Sequence, residues 1–154
     1  MIIAQPFTPR PWGIVSSDFL AANKRCMLMS KPGMGKTSAV YTVVRALQLM
    51  GSSYFPVLVI APKKVCELTW PSEAKKWTWF EGLRVIPILG EAEARDDALL
   101  RRGDVYVINY ENVQWLVDKL GKKWPFRIIV ADESTALKSF RWGGKKVVAA
   151  EVAF

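Results

Sequence analysis

Residues 30–37 read SKPGMGKT, a glycine-containing stretch that can bind a phosphate through its backbone amides. Glycines permit a tight turn that points consecutive N–H groups at one phosphate, and a following helix adds the positive end of its dipole. Lys36 can then reach the terminal phosphates, and Thr37 can bind Mg²⁺. We therefore predict a nucleotide-binding loop made of Ser30, Lys31, Pro32, Gly33, Met34, Gly35, Lys36, Thr37 and Ser38.

The flanking sequence decides between this loop and an ordinary turn that ends in Lys-Thr. The usual pattern, G-x-x-x-x-G-K-[ST], is matched at Gly35, Lys36 and Thr37, whereas Ser30 replaces its first glycine. The apolar run in KRCMLMSKP predicts a strand before the loop, and KTSAVYTVVRALQLMG has apolar residues at helical spacing. A position between a strand and a helix favours the phosphate loop.

A pair of carboxylates, Asp132 and Glu133, follows the apolar run in RIIVADES. A carboxylate at the end of a strand can hold a magnesium ion and its water shell, so Asp132 is the second predicted metal ligand beside Thr37. Glu133 would orient and deprotonate the attacking water as general base. The alternative is an acidic N-cap for the next helix. The phosphate loop in the same chain favours catalysis, with Lys36, Asp132 and Glu133 as the catalytic residues.

Strands and helices alternate along the chain. Gly51 and Gly121 are predicted helix stops, and Pro71 is expected to break or restart a helix. This order predicts an α/β fold, with a parallel sheet of at least five strands and helices on both faces. The predicted strands lie in KRCMLMS, YFPVLVIAP, LRVIPIL, DVYVINY and FRIIVAD. ESTALKSF and KKVVAAEVAF are predicted to be helical, and RWGG is predicted to be a loop.

The composition limits the chemistry. The chain has 154 residues, enough for one domain, and a formal charge of +8, which favours a polyanionic partner. It contains no histidine, which excludes Ser-His-Asp and Cys-His mechanisms. Cys26 and Cys66 are expected to be reduced and buried. Neither a signal peptide nor a membrane-length apolar run is recognisable, so we expect a cytoplasmic protein of a prokaryotic or virus-infected cell.

Four segments resemble, in the same order, motifs of the Snf2-like branch of superfamily 2 helicases and DNA translocases. SKPGMGKT resembles helicase motif I, and PVLVIAPKKVCELTWPSEAKKW resembles motif Ia with its flank. DVYVINYENV resembles the strand that ends in a Tyr-Glu pair, and VADESTALKS resembles motif II with its tail. Four motifs in order are far more specific than any one of them.

This resemblance implies that residues 1–154 form a single RecA-like ATP-binding domain, the first lobe of a two-lobed motor. It implies ATP and Mg²⁺ as cofactors, and DNA, usually duplex, as the partner. A second RecA-like lobe, supplied in cis or in trans, would carry the arginine finger. Arg10, in TPRPWG, matches the segment that reads adenine, although Gly13 stands where the family has Gln. Lys63 and Lys64 match motif Ia and would meet DNA phosphates, as would Lys75 and Lys76 if they are not ordinary solvated lysines.

Two other functions remain open at this point. The chain could be a stand-alone regulatory module that binds nucleotide or DNA without motor activity. It could also be an unrelated P-loop enzyme such as a nucleotide kinase, although no arginine-rich lid is recognisable. We expect hydrolysis by the lobe alone to be very slow, because a missing arginine finger costs about 10³–10⁵ in rate. Most of the seven tryptophans are expected to pack in the core.

Overall fold

The structure is a computed structural model that describes residues 4–31 and 33–133, and the backbone of residues 141–142 and 145–146. The helices are α1 (Pro11–Ala22), α2 (Lys36–Leu49), α3 (Trp70–Lys76), α4 (Ala92–Leu100) and α5 (Val113–Leu120). The strands are β1 (Val57–Ala61), β2 (Val85–Ile88), β3 (Val105–Asn109) and β4 (Ile128–Ala131), followed by the two-residue strands β5 (Arg141–Trp142) and β6 (Lys145–Lys146).

The main sheet has four parallel strands in the order β2-β3-β1-β4. Val57 of β1 lies opposite Val105 of β3 on one side and Ile128 of β4 on the other, so the strands start level with one another. Because all four run the same way, their carboxyl ends meet at one edge, where ligands of open α/β sheets bind. We call this the carboxyl edge and the opposite one the amino edge.

Side chains alternate between the two faces of the sheet, and each face carries its own core. Val57, Val59 and Val107 pack with Tyr41 of α2 and Trp70 of α3 on one face. The other core, beneath α4 and α5, consists of Leu58, Ile88, Ala98, Tyr106, Ile108, Leu116 and Phe126. Helices therefore cover both faces, as the sequence predicts for a parallel sheet of near-continuous apolar strands.

The number of strands in this sheet is smaller than predicted, because the segment before the phosphate loop is not a strand. Residues 26–30 have no regular secondary structure, and Met27 and Met29 are exposed. Their apolar character predicted a buried strand, but within the described residues no neighbouring strand pairs with them. An extended segment gains little without a ladder partner. The prediction of at least five strands was therefore wrong, whereas the fold class was right.

The ends of helices α2 and α5 agree with the glycines predicted to stop them. Gly51 has φ +65° and follows α2, and Gly121 has φ +46° and follows α5, as predicted. A π-helical turn, Val65–Thr69, leads into α3, in which Pro71 occupies the first turn where its missing N–H costs nothing.

The chain end departs from prediction in part. Arg141–Trp142 pairs antiparallel with Lys145–Lys146, so the helix predicted from Lys145 and the loop predicted from Arg141 are both wrong at those residues. The predicted helix of ESTALKSF, apart from Glu133, and the rest of KKVVAAEVAF lie outside the described residues.

Both cysteines are free thiols, but only one is buried as expected. Cys66 is fully buried and donates to the carbonyl of Ala61 at 3.4 Å, whereas Cys26 lies in the exposed segment before the phosphate loop. Among the described residues, no helix is both long and apolar enough to cross a membrane.

Candidate nucleotide site and its relatives

The predicted phosphate loop forms a tight left-handed turn. Gly33 has φ +77° and Gly35 has φ +75°, a region that favours glycine because it lacks a Cβ. A Cβ on Gly35 would lie 3.0 Å from Oγ of Ser38. Helix α2 begins directly after this turn, at Lys36, and the amide of Ala39 donates to the carbonyl of Gly35 at 2.9 Å. The first N–H groups of α2 therefore point out of the helix toward the loop.

Within this loop, Lys36 folds back on its own backbone. Its Nζ donates to the carbonyl oxygens of Ser30 at 3.1 Å and of Lys31 at 3.3 Å. Ser38 Oγ donates to the carbonyl of Gly35 at 2.9 Å, and Thr37 is half-buried at the start of the helix. The ammonium group thus lies within the turn that a phosphate would enter. Pro32, also predicted to bind nucleotide, lies outside the described residues.

Asp132 stands at the carboxyl edge, one residue beyond β4. Its amide donates to the carbonyl of Ile60 in β1 at 2.8 Å, so its backbone is fixed by the sheet. The indole Nε1 of Trp70 donates to its Oδ2 at 3.1 Å, and the hydroxyl of Tyr110 donates to its carbonyl at 2.7 Å. These three contacts hold both the backbone and the side chain of the half-buried Asp132 in one orientation.

The same tryptophan joins Asp132 to the helix that starts at the phosphate loop. The hydroxyl of Tyr41, on α2, donates to the carbonyl of Trp70 at 2.7 Å, and the two rings meet edge to face at 5.0 Å. Both side chains are fully buried, so this path is rigid. Burial, aided by the charge of Glu73, raises the pKa of Tyr41 far above its usual value, and its hydroxyl therefore stays a donor. Burial, aided by Asp132, raises the pKa of Tyr110 in the same way.

Glu133, the predicted general base, is exposed and has a strained backbone. Its φ is +54°, the left-handed region, in which a residue other than glycine costs about 1–3 kcal/mol. Such outliers persist where the surrounding structure holds them, and here the preceding residue is fixed by its sheet and side-chain contacts. This left-handed backbone conformation turns the chain sharply just after Asp132.

A cavity of about 200 Å³ adjoins the phosphate loop and is closed on one side by the N-terminal segment. That segment is held by Gln5, whose amide donates to the carbonyl of Lys76 at 2.9 Å. Arg10 lines the cavity with its guanidinium 5.4 Å from the ring of Trp12, whose Nε1 donates to the carbonyl of Met34 at 3.1 Å. The cavity lining comprises Phe7, Thr8, Pro9, Arg10, Trp12, Gly13, Gly33, Met34, Gly35, Ser38, Ala39, Thr42, Glu73, Lys76 and Trp77.

The predicted DNA-contacting lysines differ in their surroundings. Lys63 and Lys64 are exposed just past β1 at the carboxyl edge, and Lys63 lies 3.9 Å from Glu67. Lys75 is exposed on α3. Lys76 instead lies over the ring of Trp77 at 4.7 Å and lines the cavity beside the phosphate loop. Lys76 therefore lies beside the phosphate loop, whereas Lys63, Lys64 and Lys75 do not line this cavity.

Sequence reasoning missed the polar roles of two aromatic residues. Most of the tryptophans were expected to pack in the core, and Trp70 is buried, but its indole N–H also donates to Asp132. Tyr110 was noted only as part of a Tyr-Glu pair, yet its hydroxyl binds the backbone of Asp132. The only sequence signal was a general one: a buried Trp or Tyr needs a partner for its polar atom, and the strand-end carboxylate Asp132 is one candidate acceptor at the carboxyl edge.

Comparison with known proteins identifies the family. The family model described as the SNF2-related domain matches residues 18–148, most of the chain. The chain belongs to the SNF2-related domain family. This membership agrees with the Snf2-like order of motifs in the sequence.

Individual relatives agree with this family. The chain is 47% identical over 146 residues to putative protein p41 of Acyrthosiphon pisum secondary endosymbiont phage 1, covering 93% of this chain. It is 27% identical over 135 residues to the human DNA annealing helicase and endonuclease ZRANB3, covering 78% of this chain. The SWI2/SNF2 ATPase core of Sulfolobus solfataricus, solved in complex with dsDNA, superposes over 90% of this chain with a TM-score of 0.71 at 22% identity, which shows a shared fold.

The SNF2-related relatives are much longer than this chain. The matched region covers 32% of the phage protein, 11% of the human helicase and 29% of the archaeal ATPase core. The activities and partners of those whole proteins therefore enter below only as proposals.

Proposed function

We propose that this chain is the ATP-binding first lobe of a Snf2-like DNA helicase or translocase, and that residues 1–154 form this one lobe. A second RecA-like lobe, in cis or in trans, would complete a motor that couples ATP hydrolysis to movement on DNA. The observation that carries this proposal is the path from α2 through Tyr41 and Trp70 to Asp132. It ties the phosphate-loop helix to the strand-end carboxylate, the two parts that must act on one nucleotide.

In this proposal the nucleotide phosphates lie on the turn of Gly33 and Gly35, against the first amides of α2. Lys36 would leave the carbonyls of Ser30 and Lys31 and bind the phosphates, exchanging two neutral acceptors for charged ones, which form stronger hydrogen bonds. The base would lie in the adjoining cavity beside Arg10. Because Gly13 offers no side-chain amide at the position where the family has Gln, the shape of the cavity would dominate base selection.

The residues at the carboxyl edge fit a magnesium ion held together with nucleotide phosphates. The indole N–H of Trp70 donates to Oδ2 of Asp132, while Oδ1 accepts no hydrogen bond from any described residue. Thr37 would add its hydroxyl. Within the described residues no cluster of three or more metal-binding side chains occurs, and Mg²⁺ usually needs only one or two carboxylates when phosphates and water complete its shell. When bound, the ion would neutralise charge on the transferred phosphoryl group.

The chemistry left to the chain is to position water and accept its proton. Glu133 would take this role, and its position directly after Asp132, at the carboxyl edge, supports the proposal. A second lobe would supply an arginine finger, and without one the rate falls by about 10³–10⁵. We therefore expect the chain by itself to bind ATP weakly and to hydrolyse it very slowly.

DNA would meet the carboxyl edge at Lys63 and Lys64, where it makes backbone contacts that do not depend on sequence. The archaeal ATPase core that shares this fold was solved with dsDNA, which supports duplex as the substrate. The similarity to a phage protein supports a cytoplasmic place of action, in a bacterial or phage-infected cell.

The test compares ATP binding and turnover in the wild-type chain and in Glu133→Gln. We expect Glu133→Gln to bind Mg·ATP like the wild type but to hydrolyse it at least about 10²-fold more slowly, because a general base usually contributes a rate factor of this size. Equal turnover in both proteins, with binding intact, would contradict the motor assignment and favour a regulatory module that only binds nucleotide.

A further inference from the structure

The amino edge of the sheet carries five exposed cations from two neighbouring loops. Arg101 and Arg102 precede β3, Lys122 and Lys123 follow α5, and Arg127 precedes β4. None of the five has an ion-pair partner among the described residues. We name this set the basic amino-edge patch.

Two acidic side chains near the patch are paired with cations outside it. Asp104, which follows Arg102 in the same loop, is bound by Arg84 at 2.9 Å. Asp96 of α4 is bound by Lys119 of α5 at 2.7 Å, and Asp118 accepts from Gln114 at 2.8 Å. Asp118 keeps its charge beside neutral Gln114, and Asp97 of α4 has no ion-pair partner among the described residues, so five cations face two unpaired acids nearby. Lys63, Lys76, Arg84 and Lys119, in contrast, each have an acidic partner.

An aromatic cluster fixes the two loops next to each other. The hydroxyl of Tyr106 donates to the carbonyl of Arg101 at 2.5 Å and accepts from the amide of Gly103 at 3.0 Å. Its ring meets Phe126 edge to face at 5.6 Å. Phe126 in turn contacts Trp124 at 5.2 Å, and the indole N–H of Trp124 donates to the carbonyl of Phe126 at 3.0 Å. The backbone that carries the cations is thus held in place before any partner binds.

Gly103 lets the first loop lie flat on this cluster. A Cβ at this position would come within 2.5 Å of Cγ1 of Ile86 and 3.1 Å of the Tyr106 ring, so only glycine fits without displacing the core. Five unpaired like charges on a rigid scaffold repel one another, an arrangement that favours an anionic partner.

We propose that the basic amino-edge patch binds the phosphate backbone of a second nucleic-acid segment. Strands β3 and β4 are separated by β1, and neighbouring strands lie about 4.8 Å apart, so the two groups of cations lie about 10 Å from each other along the edge. Cations spread along an edge in this way suit an extended polyanion better than one small ligand. Exposed apolar side chains at this edge include Leu100 beside Arg101 and Tyr54 before β1, so anionic vesicles serve as the competing surface in the test below.

This segment would be distinct from the one proposed at Lys63 and Lys64. Those lysines lie at the carboxyl edge, and five-residue strands such as β3 separate the two edges by about 15 Å. The inference goes beyond the proposed motor function and does not depend on ATP binding. A lobe that binds nucleic acid at both edges could hold two duplex segments at once.

The test measures binding of a labelled DNA duplex by fluorescence anisotropy over a range of salt concentrations. The patch variant is Lys122→Gln/Lys123→Gln/Arg127→Gln, with thermal unfolding as the check on folding. The salt slope falls by about 0.9 for each phosphate that the protein no longer neutralises, so we expect it to drop by about 2–3. The matched control is Lys119→Gln, a nearby cation already paired with Asp96, which should leave the slope unchanged.

A carboxyl-edge variant, Lys63→Gln/Lys64→Gln, separates this inference from the proposed function. If only the carboxyl-edge variant changes the slope, the patch does not bind nucleic acid and the motor proposal stands. If only the patch variant changes it, the DNA site of the motor proposal is wrong and the inference about the patch stands. Binding of the patch to phosphatidylserine vesicles without binding to duplex would overturn the inference. Capture of a second labelled duplex by protein on an immobilised duplex, abolished in the patch variant, would confirm two segments.

Discussion

The indole Nε1 of Trp70 lies 3.1 Å from Oδ2 of Asp132 and donates a hydrogen bond to it. Trp70 is buried beneath the sheet and receives a second hydrogen bond, from Tyr41, at its carbonyl. A bulky core residue thereby sets the orientation of a strand-end carboxylate. Oδ1 is left facing away from this bond, available to a metal ion or its water.

Trp70→Phe tests this positioning role, because it keeps an aromatic ring in the core but removes the donor. Loss of one hydrogen bond is worth about 0.5–1.5 kcal/mol, so the Mg²⁺ concentration that gives half-maximal ATP binding should rise about 2- to 10-fold. Titration of Mg²⁺ at fixed ATP measures this shift.

Trp124→Phe is the control for the Trp70 variant. It removes an indole donor to the carbonyl of Phe126, at 3.0 Å, on the other face of the sheet. It should destabilise the fold in a similar way without changing the Mg²⁺ requirement. An unchanged Mg²⁺ requirement in a folded Trp70→Phe protein would show that the hydrogen bond to Asp132 is structural only.

The Arg84–Asp104 pair makes stability depend on pH. Burial works against ionisation of Asp104, but hydrogen bonds from the side chain and backbone of Arg84 outweigh it, and the pKa of Asp104 lies below its usual 3.8. A lowered pKa in the folded state stabilises the protein above about pH 4, and this contribution is lost as the pH falls through the lowered pKa. Asp104→Asn should lower the midpoint of urea unfolding at pH 7.

The difference between wild type and Asp104→Asn should shrink as the pH falls below about 4, since protonation then removes the same charge from the wild type. Urea unfolding followed by circular dichroism at pH 7 and at low pH measures it. A difference that stays constant between these pH values would assign the effect to packing rather than to the ion pair.

The two cysteines should differ sharply in reactivity. Burial is the main cause that raises the pKa of Cys66 to about 12, so at pH 8 almost no thiolate forms and the sulfur is inaccessible. Cys26 is exposed. A thiol reagent should titrate one fast thiol in the native chain and two in denaturant, and Cys26→Ser should abolish the fast one. Rapid reaction of both native thiols would contradict the packing of Cys66 against β1.

Much of the site could be predicted from the sequence because its parts are local. The glycines, Lys36 and Thr37 lie within one short stretch, and a strand that ends in Asp132 and Glu133 is visible as an apolar run before two acids. The family comparison confirms the fold class that this alternation predicts. The roles of these residues in binding remain predictions.

What the sequence did not predict depends on long-range contacts. The segment before the phosphate loop is apolar enough for a strand, yet a strand also needs a neighbour, which a local pattern cannot reveal. Trp70 and Asp132 are 62 residues apart, and their hydrogen bond exists only because β4 pairs with β1. The basic amino-edge patch likewise comes from two loops that are distant in sequence and are joined by the contact between Tyr106 and Phe126.

The proposed motor function depends on whether SKPGMGKT binds nucleotide phosphates, and calorimetric titration of Mg·ATP into the wild-type chain and into Lys36→Ala answers that question. Lys64→Ala, which removes an exposed lysine outside the loop, is the control. We predict that Lys36→Ala weakens binding about 10- to 100-fold, the value of a hydrogen bond to a charged group, while Lys64→Ala leaves it unchanged. Equal affinity of wild type and Lys36→Ala for Mg·ATP would contradict the assignment of this stretch as a phosphate loop.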